Sequence, residues 1–149
     1  MDVRELTCWA QRIFDPTASV DDLVAARLRL RGELLPGWYD DWVLLERERL
    51  RQLRMHALEA LADRLAAAGR HSEAVQAAYV AVQAEPLRES AHRTLIRAHL
   101  AEGNLIEAMH AYESFRTMLA DELGAAPSRL MRDLVNRLPV PDFHPASHF

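Results

Sequence analysis

The fold is decided by the stretch LEALADRLAAAGRHSEA at residues 58–74, whose features return 34 residues later in HRTLIRAHLAEGNLIEA at residues 92–108. A period of this length indicates a repeated unit of secondary structure, because each copy buries its apolar face against the next copy. The sequence therefore predicts a helical scaffold rather than a catalyst. The residues that the offset aligns include Gly69 with Gly103, Glu73 with Glu107, and Ala74 with Ala108.

A spacing of 34 residues resembles that of tetratricopeptide repeats, in which two antiparallel helices share one buried face. The glycine is expected to end the first helix of each copy, and the alanine that follows allows close approach of the second helix. We therefore expect an all-α fold, a tetratricopeptide-like right-handed helical repeat array of about seven helices. An ordinary helical bundle with coincidental spacing is the alternative, and it too would be all helical.

Helix signals divide the chain into segments. Residues 42–68 contain neither Gly nor Pro, so one long helix should join the N-terminal part to the repeats. Ser19 and Asp22 resemble a capping box at the start of the second helix. We expect one domain at residues 1–138 and a disordered tail at residues 139–149. The domain should contain an N-terminal helical part at residues 1–40, the long helix and the repeats at residues 41–123, and a capping helix at residues 127–138.

Composition limits the class of protein. The 149 residues are 50% hydrophobic, enough for one domain with a buried core, and the net charge of -4 argues against direct nucleic-acid binding by this chain alone. The single cysteine, Cys8, excludes an internal disulfide and is expected to be buried. No long uncharged apolar run and no signal-peptide pattern are present, so we expect no membrane association and a cytoplasmic location.

The sequence offers no catalytic motif, and we expect no enzyme activity, no cofactor and no metal. His92 and His99 lie on one helix face, but a gap of seven residues separates them by roughly 10 Å, too far for shared chelation. Both are expected to be core histidines, with His99 hydrogen-bonded. An enzyme would require a pocket that gathers both histidines and a carboxylate with shifted pKa values.

The candidate partner-binding residues are charged. Arg93 and Arg97 lie on one helix face and suit bidentate capture of a carboxylate, from a partner or from Glu59 or Asp63 of the preceding repeat. A second basic cluster on the long helix is either a solvated face or a partner surface, and Glu46 is expected to have no base in register. The residues of that cluster are Arg47, Arg49, Arg51 and Arg54.

Four motifs point to a family. They read LPGWYDDW at residues 35–42, ERERL at residues 46–50, PLRESAH at residues 86–92 and DELGAAPS at residues 121–128. With them the chain resembles the bacterial transcriptional activation domain of the Streptomyces antibiotic regulatory protein family. The resemblance covers almost everything before Pro139.

The resemblance implies a noncatalytic effector and oligomerisation domain that self-associates and contacts RNA polymerase holoenzyme. In that family a separate winged-helix domain binds DNA, and the chain would be either an excised effector half or a stand-alone paralogue. Trp38, Trp42, Arg88 and Glu89 are expected to serve packing, the last two as a pair at a repeat junction. The alternative is a stand-alone adaptor whose groove, at Arg93 and Arg97, binds an acidic peptide or partner protein.

Overall fold

A computed structural model of the chain describes residues 3–31 and 44–137. Within these two ranges the chain forms seven α-helices and no strand, which confirms the predicted all-α repeat array. The helices are α1 Val3–Phe14, α2 Val20–Arg31, α3 Leu44–Ala67, α4 His71–Ala84, α5 Glu89–Glu102, α6 Leu105–Leu123 and α7 Arg129–Asn136.

The N-terminal helices form for reasons that are visible in the sequence. In α1, Leu6, Ala10 and Ile13 recur at helical spacing and are fully or almost fully buried. At the start of α2 the backbone N–H of Asp22 donates to Ser19 Oγ at 3.1 Å, and Asp22 Oδ2 accepts from the N–H of Ser19 at 3.3 Å. These two bonds confirm the predicted capping box.

The long helix α3 has 24 residues, and Arg64 fixes it to the end of α1. Its Nη1 donates to the carbonyl of Ile13 at 2.8 Å and also to that of Asp15, while Nη2 reaches the carbonyls of Pro16 and Ala18. Carbonyls at a helix C-terminus have no partner within the helix, so one guanidinium satisfies several of them. This contact joins the N-terminal helices to the repeats.

The repeats are the pairs α3–α4 and α5–α6, and glycines end their first helices as predicted. Gly69 and Gly103 have φ values of 81° and 86°, in the left-handed region that other residues avoid. After Gly103, the N–H of Asn104 donates to the carbonyl of His99 at 2.9 Å. Ala74 and Ala108, at equivalent positions, are completely buried, which is where the paired helices approach one another.

Two apolar clusters fill the described interior. The larger contains buried residues of α1 to α5, and the smaller lies between α5, α6 and α7, with Ile96, Phe115 and Met131 at its centre. The last helix begins at Ser128, whose Oγ accepts from the N–H of Met131 at 3.4 Å. The helix after Pro127 spans Arg129–Asn136.

Some expectations from the sequence are wrong. Cys8 is exposed, because it lies away from the face of α1 that carries Leu6 and Ala10. The leucine pattern of residues 42–68 also predicts an apolar stripe that includes Leu45, yet Leu45 is 85% exposed. None of the helices in the described residues is long and apolar enough to cross a lipid bilayer.

Several predictions fall on residues outside the described ranges. They are the packing of Trp38 and Trp42 and the disordered tail at residues 139–149. Three further features that the sequence predicts also lie there: a helix end at Gly32, an aromatic turn at residues 34–39 and a cap at Asp40 or Asp41.

Candidate partner-binding surface

The first helices of the two repeats, α3 and α5, lie side by side and carry the predicted charged residues. Arg97 of α5 binds Asp63 of α3 through two bonds, Nε to Oδ1 at 3.2 Å and Nη2 to Oδ2 at 3.1 Å. The two residues are 34 positions apart, so the repeat places them opposite each other. Their side chains are 43% and 47% exposed, which leaves this ion pair open to solvent and to a partner.

Arg93 does not reach the preceding repeat. Its Nη1 lies 2.5 Å from Oε2 of Glu89, one turn earlier on the same helix. Glu89 also accepts from the backbone N–H of Ser128 at 2.7 Å and from the Ser128 hydroxyl. Arg93 therefore orients a carboxylate that holds the start of α7, and of the two intramolecular alternatives, Glu59 and Asp63, it binds neither.

Glu59 is instead paired with Arg88. Oε1 of Glu59 accepts from Arg88 Nε at 2.8 Å and from Ser90 Oγ at 2.8 Å, and Arg88 Nη1 donates to Gln52 Oε1 at 2.6 Å. The Glu59 and Arg88 side chains are only 12% and 15% exposed. Glu59 thus fixes the start of α5 on α3 and is not open to a partner.

The motif residues Arg88 and Glu89 have separate partners rather than each other. Arg88 binds α3, and Glu89 binds Arg93 and the first turn of α7. Sequence analysis missed the contact between Arg88 and Glu59, although it singled out both residues. The contact could have been expected from the position of Arg88 immediately before α5, because the start of α5 lies beside α3, the helix that carries Glu59.

Two arginines of the second basic cluster are neutralised by carboxylates of the same chain. Arg51 binds Glu48 at 2.5 Å and Glu85 of α4 at 2.6 Å, and Arg49 binds Glu46 at 2.6 Å. The expectation that Glu46 has no base in register is wrong, because residues three apart also meet on a helix. The hydrogen bond that Arg49 donates to Glu46 lowers the pKa of Glu46, and the hydrogen bonds that Arg51 donates to Glu48 raise the pKa of Arg51.

Arg47, the other candidate in this cluster, has no ion pair within the part of the chain that the structure describes. Its Nε is buried, and no hydrogen-bond partner is found for it among those residues. Within the described residues no carboxylate therefore offsets the charge of Arg47, in contrast to Arg49 and Arg51.

Both predicted core histidines are buried, in different surroundings. His92 Nε2 donates to the carbonyl of Pro86 at 2.6 Å, and its ring lies 4.4 Å from that of Phe115, measured between centroids. His99 packs edge-on against Tyr79 at 6.2 Å. Within the described residues neither ring nitrogen of His99 has a hydrogen-bond partner, so the predicted hydrogen bond is wrong.

Burial determines the protonation of these rings. Loss of hydration lowers the pKa of His99, and the charges of Glu107 and Glu102 oppose this only in part. Loss of hydration also lowers the pKa of His92, against the effect of its bond to Pro86. In the ranges 3–31 and 44–137 there is no group of three His, Cys, Asp or Glu side chains placed to hold a metal ion.

Comparison with known protein families shows which family the chain belongs to. The model of the bacterial transcriptional activator domain matches residues 7–138, nearly the whole chain. The chain belongs to this family. The resemblance to the Streptomyces antibiotic regulatory proteins is thereby confirmed, and transcription regulation is the process in which this activator domain takes part.

Two curated relatives carry the same region within much longer proteins. The activator domain is 35% identical over 127 residues to the regulatory protein AfsR of Streptomyces coelicolor, covering 80% of this chain and 13% of that protein. It is 34% identical over 110 residues to AfsR of Streptomyces griseus, covering 72% of this chain and 11% of that protein. The chain thus spans about an eighth of the length of the relatives it matches.

Another surface of the activator domain is formed by α2 and by the second helices of the two repeats, α4 and α6. Tyr79 of α4 is 43% exposed and lies between two depressions. One is bounded by α2 and α4 and includes Arg27 and Gln76. The other is bounded by α4, α5 and α6 and includes Val82 and Leu95. Sequence analysis assigned no role to this surface, because none of its residues belongs to a recognised motif.

Proposed function

We propose that this activator domain is the noncatalytic effector and self-association part of a larger bacterial transcriptional activator. It contacts RNA polymerase holoenzyme in the cytoplasm, while a winged-helix domain outside this chain binds DNA. The observation that carries the proposal is the family match over residues 7–138 in a chain that spans only 13% of a relative named as a regulatory protein. A segment of that kind acts together with other domains.

The distribution of charge supports leaving DNA binding to another domain. The net charge is -4, and contact with a phosphate backbone requires clustered cations. Arg51, Arg93 and Arg97 are all bound to carboxylates of the same chain. A nucleic acid would have to displace those carboxylates before it could use the arginines.

The same pairing weighs against the adaptor alternative. Capture of an acidic peptide at Arg93 and Arg97 would break the bonds of these arginines to Glu89 and Asp63. The bond between Arg93 and Glu89 supports α7, so only Arg97 can change partners without disturbing a helix. The half-exposed pair of Arg97 and Asp63 is therefore the proposed point of contact with polymerase on this face.

Binding of the purified domain to RNA polymerase holoenzyme from its source bacterium tests the proposal. We expect wild-type binding at micromolar concentrations and about tenfold weaker binding by Arg97→Glu. Arg116→Glu is the matched control, because it removes a similarly exposed ion pair, with Glu113, from α6. Full binding by Arg97→Glu would exclude this surface.

A charge swap separates loss of the contact from loss of the ion pair. The variant Asp63→Arg with Arg97→Glu retains an opposite-charge pair between α3 and α5 but reverses its polarity. We expect it to fold as stably as the wild type and to bind polymerase as weakly as Arg97→Glu alone. Failure of the wild type to bind at about 10 µM would overturn the proposed polymerase contact.

A further inference from the structure

Arg27 of α2 lines a depression and is bound only to a neutral group. Its Nη1 donates to Gln76 Oε1 at 2.6 Å. Its Nε is buried without a hydrogen-bond partner, and within the described residues no carboxylate lies in ion-pair distance of the guanidinium. Glu73 of α4 is paired with Arg70 and interacts with Arg27 only at longer range. A guanidinium has five N–H donors arranged for a carboxylate, so this site is incomplete.

The depression beside Arg27 has a volume of about 200 Å³. Sites for whole small molecules usually measure about 300 to 1,000 Å³, so this one has room for a single side chain. Its other walls are Gln76, Tyr79, Val80 and Gln83, none of which carries a charge. Arg27 is therefore the only ionised group that a side chain entering this depression would meet on its walls.

Tyr79 connects this site to the depression on the other side of α4. That second depression has a volume of about 320 Å³; Val82, Leu95 and Ala111 give it one apolar wall, and polar residues that include Glu107 line its α6 side. Arginine and tyrosine are the residue types on which protein partners most often depend for affinity. A short segment that turns over Tyr79 would place two neighbouring side chains in the two depressions.

We propose that this surface binds a segment of a partner protein that carries an acidic residue next to a large aliphatic residue. The carboxylate binds Arg27, with Gln76 holding one corner of the guanidinium, and the aliphatic side chain packs between Tyr79 and the apolar wall of the second depression. On entry of the carboxylate the guanidinium turns, so that Nε gains the acceptor it lacks. The identification of this partner as polymerase rests on the proposed function, but the site itself does not.

Two blocked dipeptides test the site in the purified domain. Acetyl-Asp-Leu-amide should shift the NMR signals of the Arg27 Nε–H and the Tyr79 ring, with half-saturation at about 1 to 10 mM. Acetyl-Asn-Leu-amide has the same shape without the charge and should cause no saturable shift. Equal shifts from both peptides, or no shift from the first at about 50 mM, would overturn the proposal.

Substitutions assign the peptide effect to individual side chains. Arg27→Gln should abolish the shift of the Tyr79 ring, whereas Arg29→Gln, at an exposed position of the same helix, should leave it unchanged. Tyr79→Ala keeps Arg27 in place and should weaken binding at least about fivefold. Retention of wild-type binding by Arg27→Gln or by Tyr79→Ala would also overturn the proposal.

The same variants distinguish this proposal from the proposed function. Saturable peptide binding by a domain that does not bind holoenzyme would support the site and contradict the polymerase contact. Holoenzyme binding by a domain that does not bind the charged peptide would support the polymerase contact and contradict the site. Holoenzyme binding that Arg27→Gln weakens about tenfold and Arg29→Gln leaves intact would support both.

Discussion

At the scale of single residues, burial distinguishes two ion pairs between the same elements. Both join α3 to α5, but the pair of Glu59 and Arg88 is largely buried, whereas the pair of Asp63 and Arg97 is about half exposed. Removal of one partner from a buried pair leaves a charge without compensation, while exposed pairs contribute little to stability. The first pair therefore positions helices, and the second remains available for a partner.

We expect Arg88→Ala to lower the free energy of unfolding by about 3 kcal/mol, because Glu59 keeps its buried carboxylate and loses the charge opposite it. Arg97→Ala should cost less than about 1 kcal/mol. Urea unfolding followed by circular dichroism measures both losses in the same buffer. Equal losses would mean that burial does not distinguish the two pairs.

His99 gives the domain a dependence on pH. Because burial lowers its pKa in the folded chain, the unfolded chain binds a proton more readily than the folded chain. The contribution of neutral His99 to the free energy of unfolding is complete above pH 6.5, the ordinary pKa of histidine. It is lost as the pH falls through 6.5 towards the lowered pKa of His99 in the folded chain. His92 acts in the same direction, since its pKa is also lowered.

We therefore expect the free energy of unfolding of the wild type to fall between about pH 7.5 and about pH 5.5. His99→Phe replaces an imidazole without hydrogen bonds by a ring that can still pack on Tyr79, so this variant should lose less stability over the same range. His110→Phe is the control, because His110 is exposed. The same pH dependence in wild type and His99→Phe would exclude His99 as a source.

At the scale of helices, the sequence was sufficient where local chemistry decides the structure. Glycines at the ends of α3 and α5, the capping box before α2 and Ser128 before α7 each act within a few residues. The helix bounds could therefore be predicted closely. The period of 34 residues also placed Asp63 opposite Arg97, because equivalent positions of adjacent repeats face each other.

The pairing of the remaining charges was harder to predict, because several partners lie within reach of each flexible side chain. Arg93 could extend towards Glu59, yet it binds Glu89, which lies one turn away on the same helix. Glu59 is then matched by Arg88, which lies before the first turn of α5. The surface at Arg27 and Tyr79 was missed because it combines residues of α2 and α4 that no short motif connects.

At the scale of the whole molecule, a short repeat array has an apolar end that must be covered. Here the second repeat is covered by α7, a helix of eight residues that buries Met131 against the cluster of Ile96 and Phe115. Polar contacts from Glu89 to the N–H and hydroxyl of Ser128 fix where this helix begins. The stability of α7 therefore controls how much of the apolar cluster meets solvent.

We expect Glu89→Ala to loosen α7 and to increase self-association, because exposed apolar surface at the end of a repeat array favours contact with a second copy. The loss of the acceptor for Ser128 should cost about 1 kcal/mol, as removal of a helix cap usually does. Sedimentation velocity over a range of concentrations would show the change as a larger average mass. Glu113→Ala is the matched control, since it removes one negative charge from an exposed ion pair on α6 and leaves α7 untouched. If both variants associate to the same extent, net charge rather than the cover of the apolar end controls association, and self-association must use another surface.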